Sequence, residues 1–342
     1  MRARKRKRLI LAALAALAVF SFLAGVVIGP VRIPVRESWA LIWGGPNPPA
    51  DGPRSTVALI LREIRLPRVL LGFLVGAALA LSGGVMQGLF RNPLASPYVL
   101  GIASGASAGA AAAIALGWVG PFRLPLGAFL GGALAVLVVY QLARRGGRST
   151  GYSLILAGVA LGAMFAALTG FLIFLTAGDR RLSEIVFWTM GGLGRARWDY
   201  LYFLAPLVVL GAAAVLAFAR DLNALALGDD GAFHLGLRPE RVRQLLLGLT
   251  TALTAGAVAF AGTIGFVGLI TPHALRLLLG PDHRTLLPAT ALAGGTFLVW
   301  ADAAARTAMS PAELPVGIIT ALLGAPFFLY LLRRYSRGGE FG

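Results

Sequence analysis

The chain has 342 residues, of which 58% are hydrophobic and only 13% are charged, a composition too apolar for a soluble domain and typical of a polytopic membrane protein. It contains no cysteine, which excludes disulfides and thiolate metal sites, and its three histidines are scattered, so no metal site is expected. The net charge of +17 comes from short basic clusters between apolar runs, which indicate membrane topology rather than a nucleic-acid partner.

Apolar stretches of about 20 residues, the length that crosses a bilayer, follow one another along the chain. Six are clear, at residues 9–29, 69–90, 94–118, 124–143, 152–176 and 200–219. The run 244–279 is too long for one helix and contains Gly262 and Pro272, so we divide it into one full span and one short, broken span. Residues 286–301 and 315–332 complete the set. The sequence therefore predicts an all-α polytopic membrane protein with about ten transmembrane helices.

Basic residues at the two ends of the chain predict its orientation. Six lie within the first eight residues, and Arg333, Arg334 and Arg337 follow the last span. Because basic segments stay on the cytoplasmic side, both termini are expected there, which requires an even number of spans. Four loops then face the cytoplasm, at residues 91–97, 144–150, 220–243 and 281–285. We expect one transmembrane domain over residues 1–342.

The longest of these loops contains LGDDGAFHLGLRPERVR, a compact polar segment between two apolar runs. Asp229 and Asp230 can cap a helix start, Gly236 can close that helix, and Pro239 suits the first turn of the next one. Two short helices joined at a glycine are therefore predicted, and they would form a rigid cytoplasmic projection.

Three apolar residues of that projection, Phe233, Leu235 and Leu237, are expected to be buried by a partner protein. The alternative is that they pack against the membrane-embedded base of the segment.

Three ordered sequence matches indicate an internal repeat. They are Gly83, Pro93 and Gly101 with Gly262, Pro272 and Gly280; LPLGAFLGG from Leu124 with LPATALAGG from Leu287; and Gly162, Ala163 and Phe165 with Gly324, Ala325 and Phe327. The first copy begins at span 2 and the second at span 7, an odd offset, so spans 2–5 and 7–10 are predicted to be inverted relative to each other. Chance is the alternative for any single match in a chain so rich in Ala and Gly.

Small residues recur at every fourth position in spans 2 and 3, a pattern that lets helix backbones approach closely in lipid. In span 3 they are Gly101, Gly105 and Gly109. Tight helix packing is the simpler interpretation, and a role in lining a substrate path is the alternative.

Several kinds of chemistry are missing from the sequence. The only lysines are Lys5 and Lys7, so a phosphate-binding GxxxxGK[ST] loop is impossible and any ATPase must be another subunit. The sequence GIASG at Gly101 lacks the GxSG of intramembrane serine proteases, and TAGD at Thr176 departs from the GxGD of the aspartyl ones. The chain is not expected to be an enzyme.

Ionisable residues within the membrane are typical of secondary transporters. The candidates here are Asp302 with Arg306 and His273 with Arg276. Asp302 and Arg306 are four residues apart near the outer surface, so a structural ion pair is the simpler interpretation. The otherwise charge-poor interior favours energy that is delivered from outside the bilayer.

Four motifs carry a family resemblance: RNPLASPYVLGIASGAS from Arg91, GTIGFVGLITPHALRLLLGPDHR from Gly262, ADAAAR from Ala301 and ELPVGIITALLGAPFF from Glu313. Together they resemble the FecCD-type, BtuC-like permeases of bacterial ABC importers for iron-siderophores, haem and cobalamin. The likeness covers nearly the whole chain. Ser96 is a departure, since the family often has an acidic residue there.

The resemblance implies a homodimer or close heterodimer of permeases in a bacterial cytoplasmic membrane, two cytoplasmic ATPase subunits that bind ATP and Mg, and an external substrate-binding protein. This chain would bind no cofactor itself. The loop 220–243 matches the family's coupling segment, which docks into a cleft of the ATPase. The implied docking residues are Gly228, Asp229, Asp230, Phe233, His234, Leu235, Gly236, Leu237 and Arg238.

Three arginines are expected at the outer surface, Arg65 and Arg68 before span 2 and Arg306 at the end of span 9. We expect them to present guanidinium groups to the binding protein, because the family's binding proteins carry an acidic residue on each lobe and arginine grips carboxylates bidentately. The alternative is that Arg65 and Arg68 anchor a helix end at the lipid headgroups and that Arg306 only pairs with Asp302.

Two other functions stay open at this point, an ion-coupled secondary transporter and a membrane receptor that signals through the coupling segment. Co-purification with an ATPase separates the importer from both. The sequence does not identify the chelate, because selectivity in such importers rests largely with the binding protein.

Overall fold

The computed structural model describes residues 2–31, 33–42, 53–118, 120–145, 148–149 and 151–338, and the fold in these ranges is built of packed α-helices. Seven helices are long and apolar enough to cross a membrane. Three shorter apolar helices, Ile102–Ala115, Val267–Leu279 and Val316–Tyr330, occupy the remaining predicted spans. The predicted all-α class is confirmed, and a helix lies at each of the ten predicted spans.

The helices in chain order are α1 Arg2–Val27, α2 Val35–Ile42, α3 Pro53–Leu59, α4 Leu66–Leu89, α5 Ile102–Ala115, α6 Arg123–Ala143, α7 Gly151–Leu175, α8 Arg180–Thr189, α9 Trp198–Ala217, α10 Ala219–Leu225, α11 Asp229–His234, α12 Pro239–Ala261, α13 Val267–Leu279, α14 His283–Thr307 and α15 Val316–Gly338. A π-helical turn, Ile60–Arg65, leads directly into α4, and a 3₁₀ turn, Pro97–Leu100, precedes α5. Two short strands, β1 Arg144–Arg145 and β2 Arg148–Ser149, pair in an antiparallel hairpin after α6.

Helix α4 is the centre of the bundle, where it packs against α9, α12, α13 and α14 and is buried along most of its length. Its glycines let neighbouring backbones touch it. A Cβ on Gly76 would overlap the carbonyl of Gly294 in α14, and one on Gly83 would overlap the carbonyl of Gly268 in α13. The ladder of small residues in span 2 is therefore a helix-packing surface.

The two ends of the bundle differ in their chemistry. The short helices α10 and α11 pack where α4 ends and α14 begins, since a Cβ on Gly88 would lie 2.7 Å from the His283 side chain and 3.4 Å from that of Leu222. At the opposite end, Arg68 near the start of α4 contacts Asp302 near the end of α14. We call these the coupling end and the distal end.

Corresponding helices of the two halves run in opposite directions. Helix α4 runs from the distal end to the coupling end. Helix α12 runs the other way: it begins beside α11 at the coupling end, and just after its last residue Gly262 lies against the carbonyl of Trp188. Helix α6 ends at the coupling end, where the Tyr140 hydroxyl donates to Glu240, whereas α14 begins there. Helix α5 packs against α6 and α7, and α13 packs against α14 and α15. The inverted arrangement of spans 2–5 and 7–10 is thus present at the level of whole helices.

One of the three sequence matches is wrong at the level of residues. Gly83 lies in the middle of α4, but Gly262 follows the last residue of α12; Gly101 precedes α5, but Gly280 follows α13. The segment between α4 and α5 runs from residue 90 to 101, whereas that between α12 and α13 covers only residues 262–266. Because the segments differ in length, equal spacing in sequence does not mean equivalent positions.

Two of the glycines in span 3 lie at a direct contact between backbones. A Cβ on Gly105 would overlap the carbonyl of Gly131 in α6, and one on Gly109 would overlap the carbonyl of Gly127. Gly101 instead precedes α5 with a φ of 78°, a left-handed conformation that favours glycine. The structure therefore places Gly105 and Gly109 in the packing of α5 against α6.

We predict that Gly105→Leu destabilises the fold by more than the roughly 1–3 kcal/mol typical of core overpacking, because the obstructing atoms belong to backbone that cannot rotate away. Gly170→Leu is the matched control, since Gly170 is exposed in α7 and, among the described residues, nothing lies within 4 Å of its Cβ position. Thermal unfolding of the detergent-solubilised variants measures the difference. Equal melting temperatures for the two variants would contradict the tight α5–α6 contact.

Candidate functional site

The coupling segment folds as two short helices, α10 and α11, at the coupling end. Leu222, Leu225 and Ala232 on their inner faces are buried in the main hydrophobic core. Gly228 joins the helices with a φ of 107°, a conformation that side chains rarely adopt. The segment is therefore packed onto the bundle along its inner face.

The helix boundaries differ from the prediction in two respects. Gly228 takes the N-cap position of α11, and Asp229 and Asp230 lie in the first turn, where negative charge is favoured by the helix dipole. Gly236 follows α11 with a φ of 83°, but Pro239 begins the long span α12 rather than a second short helix. The two short helices are α10 and α11, and the glycine that joins them is Gly228.

Large apolar side chains project from this segment. Leu227 is 71% exposed, Phe233 67% and Leu235 62%. Leu237 differs, because it is half-buried and packs against the main core, which is the alternative role considered for it. The remaining expected docking residues at the tip are exposed: His234, Gly236 and Arg238. Exposed large apolar side chains of this kind are typical of a surface that a partner protein covers.

Asp229 connects α11 to two membrane-crossing helices. Arg91, two residues beyond the end of α4, donates to Asp229 Oδ1 at 3.3 Å and to the carbonyl of Leu225 at 3.1 Å. Arg243 in α12 donates to both carboxylate oxygens of Asp229, at 3.0 and 3.2 Å. We call this arrangement the Asp229 clamp.

Asn223 connects α10 to the start of α14. Its Nδ2 donates to Asp282 Oδ1 at 2.8 Å, and its Oδ1 accepts from the backbone N–H of His283 at 2.9 Å. Hydrogen bonds from Arg284, supported by the one from Asn223, hold the pKa of Asp282 well below its usual range. Asp282 therefore stays ionised near neutral pH and keeps both partners.

Together these contacts attach the coupling segment to α4, α12 and α14. Sequence reasoning identified the segment but not its attachment residues Arg91, Asn223 and Arg243. Arg91 and Asn223 meet partners more than 50 residues away in the chain, and no local pattern indicates such pairs.

At the distal end, one buried carboxylate joins α4 to α14. Arg68 donates to Asp302 Oδ1 through Nε at 3.0 Å and pairs with it through Nη2 at 2.9 Å, while Arg306 Nε lies 3.3 Å from Asp302 Oδ2. Arg68 also donates to both oxygens of Glu313, at 3.1 and 2.8 Å. Glu313 lies between α14 and α15, and its side chain is 41% exposed.

Two arginines hold the end of α1 against this network. Arg65 donates to the carbonyl of Val27, the last residue of α1, at 2.6 Å and also to that of Val31. Arg306 donates to the carbonyl of Gly25 at 2.7 Å. Carbonyls at a helix C-terminus have no partner within the helix, so the guanidinium groups satisfy them.

The expected geometry of the three outer arginines is thereby corrected. Arg65, Arg68 and Arg306 are only 3%, 6% and 2% exposed, so they do not project as free guanidinium groups. Their guanidinium groups contact Asp302, Glu313 and the carbonyls at the end of α1. Their part in docking stays a prediction, and Arg68 is the one of the three that has a half-exposed partner.

Two segments between helices meet inside the bundle, and we call them the breaks: residues 90–101 between α4 and α5, and residues 262–266 between α12 and α13. Tyr98, in the 3₁₀ turn before α5, donates its hydroxyl to the carbonyl of Ile264, in the break between α12 and α13, at 2.9 Å. Residues of both breaks line a cavity of about 230 Å³ at this point, among them Ser96 and Phe266. Interrupted helices that meet between inverted halves are the usual place for a transport path.

Comparison with protein families gives one match over most of the chain. The FecCD transport family matches residues 17–334. Among its relatives, the chain is 49% identical to the cobalamin import system permease protein BtuC of Halobacterium salinarum over 282 residues, which cover 82% of this chain and 75% of that protein. It is 40% identical to the hemin transport system permease protein HmuU of Yersinia pestis, over 98% of both chains.

A solved structure has the same fold along almost the entire chain. It is an ABC transporter of metal-chelate type in an inward-facing conformation, and it is 35% identical with a TM-score of 0.83. The match covers 95% of this chain and 99% of the other.

We predict that Asp302→Asn destabilises the protein by about 3–5 kcal/mol, because it leaves the buried Arg306 without its charge partner and removes one of the two partners of Arg68. Asp199→Asn is the control, since Asp199 pairs with Arg197 at the surface, where an ion pair contributes about 0–1 kcal/mol. Thermal unfolding in detergent distinguishes the two. A melting temperature for Asp302→Asn equal to that of the control would show that the network is not needed for stability.

Proposed function

Because the chain belongs to the FecCD transport family of ABC transporter permeases, we propose that it is the membrane subunit of an importer for a metal chelate. The chelate is cobalamin, haem or an iron-siderophore. It is received from an external binding protein and released into the cytoplasm, and the energy comes from two separate subunits that bind ATP and Mg. The chain itself binds no cofactor.

The observation that carries this proposal is the coupling segment, a rigid projection with exposed apolar side chains and attachments to three spans. Phe233 and Leu235 form the surface that enters a cleft of the ATPase. The Asp229 clamp and Asn223 then pass the movement of the ATPase to α4, α12 and α14. A flexible loop at this position would absorb such a movement instead of transmitting it.

The ion-coupled alternative has less support. A secondary transporter needs an ionisable group that gains and loses its ion in the membrane. Asp302 is the one buried acidic side chain among the described residues, and Arg68 and Arg306 occupy both of its oxygens. Its position at the distal end and its double pairing fit a structural role better than a transport cycle.

The orientation in the membrane follows from the same proposal. The coupling end, with the basic N-terminus and the basic end of α15, faces the cytoplasm of a bacterial cell, and the distal end faces the binding protein. A second copy of the chain completes the transport path, and the cavity between Tyr98 and Ile264 lies beside that path.

Docking of the binding protein is proposed at the distal end, with Arg68 as the contact that an acidic side chain can reach. Glu313 already lies at the exposed edge of Arg68, so an acidic group of the binding protein can take its place. Arg65 and Arg306 act indirectly, because they fix the end of α1 and the position of Asp302.

The substrate is tested by reconstituting the permease with its ATPase and binding protein in proteoliposomes and measuring uptake of radiolabelled cobalamin, haem and a ferric siderophore. ATP-dependent uptake of one of them is expected. Uptake that follows a proton or sodium gradient without ATP would instead support the secondary transporter.

We predict that Phe233→Asp weakens binding of the ATPase by roughly 30-fold or more, since a buried aromatic anchor contributes about 2 kcal/mol or more at an interface. Met309→Asp, which places the same charge on an exposed apolar residue at the distal end, should leave this affinity unchanged. Binding of purified ATPase to immobilised permease measures both. If Phe233→Asp bound the ATPase as tightly as wild type does, the segment would not be part of the ATPase interface.

We further predict that Glu313→Gln strengthens docking of the binding protein, because it leaves Arg68 available to an acidic partner, and that high salt weakens this docking. Glu184→Gln is the matched control, since it also removes a half-exposed carboxylate but frees Arg195 instead. The affinity of the binding protein for wild type and for both variants is measured at low and at high ionic strength. Equal strengthening by the two variants would indicate a general charge effect, and no change in either would place docking elsewhere.

A further inference from the structure

A narrow apolar groove runs along the bundle between α6 and α12, with α7 behind it. Its volume is about 400 Å³, and Phe129, Val136, Leu154 and Leu247 are among the side chains that line it. Small residues create the space: Gly248 is exposed, and no atom of the described residues lies within 4 Å of its Cβ position. The groove belongs neither to the coupling segment nor to the contact between the two breaks.

The shape of the groove limits what can fill it. From Gln244 to Ala252 it follows about two turns of α12, roughly 12 Å along the helix axis. A second transmembrane helix packed here would extend well beyond the groove, because it needs about 20 residues, roughly 30 Å, to cross the bilayer. An acyl chain is flexible enough to fill a short groove, and it lies along the membrane normal as these helices do. Leu137 at the rim is exposed, as membrane-facing residues are.

The end of the groove at the coupling end is polar and basic. Tyr140 and Gln244 line it, and both bond to Glu240. Arg144 directly follows α6, and Arg241 lies three residues before Gln244 on the same helix face; both arginines are exposed. Glu240 is already paired with Arg243, so it does not offset the charges of Arg144 and Arg241. Basic residues at this depth attract anionic lipid headgroups.

We propose that the groove is a phospholipid site. One acyl chain of an anionic phospholipid lies between α6 and α12, and its phosphate lies beside Arg144 and Arg241. Because α6 and α12 belong to opposite halves of the inverted repeat, the chain fills space between the halves. The site does not depend on the transported substrate or on the ATPase.

Retention of phosphatidylglycerol tests the proposal. Wild-type protein and the variants Gly248→Trp and Gly170→Trp are purified from membranes, exchanged into detergent and analysed for bound phosphatidylglycerol by mass spectrometry. Wild type and Gly170→Trp should retain the lipid, because Gly170 is exposed but outside the groove, whereas Gly248→Trp should lose it. Equal retention by the two tryptophan variants would overturn the proposal. Gly248→Leu, which fills the groove with a smaller side chain, serves if the tryptophan variant does not fold.

The headgroup and the alternative occupant are tested separately. In nanodiscs of phosphatidylcholine with a little phosphatidylglycerol, wild type should enrich phosphatidylglycerol, and Arg144→Gln with Arg241→Gln should abolish the enrichment. Unchanged enrichment would contradict the assigned phosphate position.

Because the chain has no cysteine, Gly248→Cys provides a single thiol. Disulfide formation between two copies through this residue would show that a second protein chain, and not a lipid, covers the groove.

Discussion

The fold depends on one buried carboxylate. Asp302 accepts hydrogen bonds from Arg68 near the start of α4 and forms an ion pair with Arg306 in its own helix, so it joins the central helix to α14 at the distal end. Breaking a buried ion pair leaves an uncompensated charge, which is far more costly than losing a surface pair. The same arginine cluster also satisfies the carbonyls at the end of α1. The position of three membrane-crossing helices is therefore set by a single polar cluster, while glycine contacts hold them along the rest of their length.

The overall architecture could be predicted from the sequence because apolar length and basic clusters directly reflect the bilayer. Ten spans, the position of the coupling segment and the inversion of the halves follow from these patterns. Residue-level equivalence did not follow. Gly83 and Gly262 begin sequence matches with the same internal spacing, but they do not occupy equivalent positions in the fold. The reason is that the segments that connect the helices differ in length in the two halves. Spacing records separation along the chain, whereas helix packing depends on depth in the membrane.

The side chains of the candidate site were predicted less completely. Phe233 and Leu235 were identifiable, because apolar residues in a polar loop need a partner and a short helix exposes them. The outer arginines were identified as important, yet their burial was not foreseen, because the carbonyls that bind Arg65 belong to a helix about 40 residues earlier. Arg91 begins one of the family motifs, but nothing in the sequence indicated its contact with the coupling segment. Its partner Asp229 lies 138 residues away, and such a pair becomes visible only when the chain is folded.

The Asp229 clamp has a mechanical consequence. Arg91 extends from α4 and Arg243 belongs to α12, and these helices come from opposite halves of the molecule. Because both arginines bind the same carboxylate, a displacement of α11 changes its contacts with both halves together. In the proposed importer, the segment would therefore act on two antiparallel helices at once.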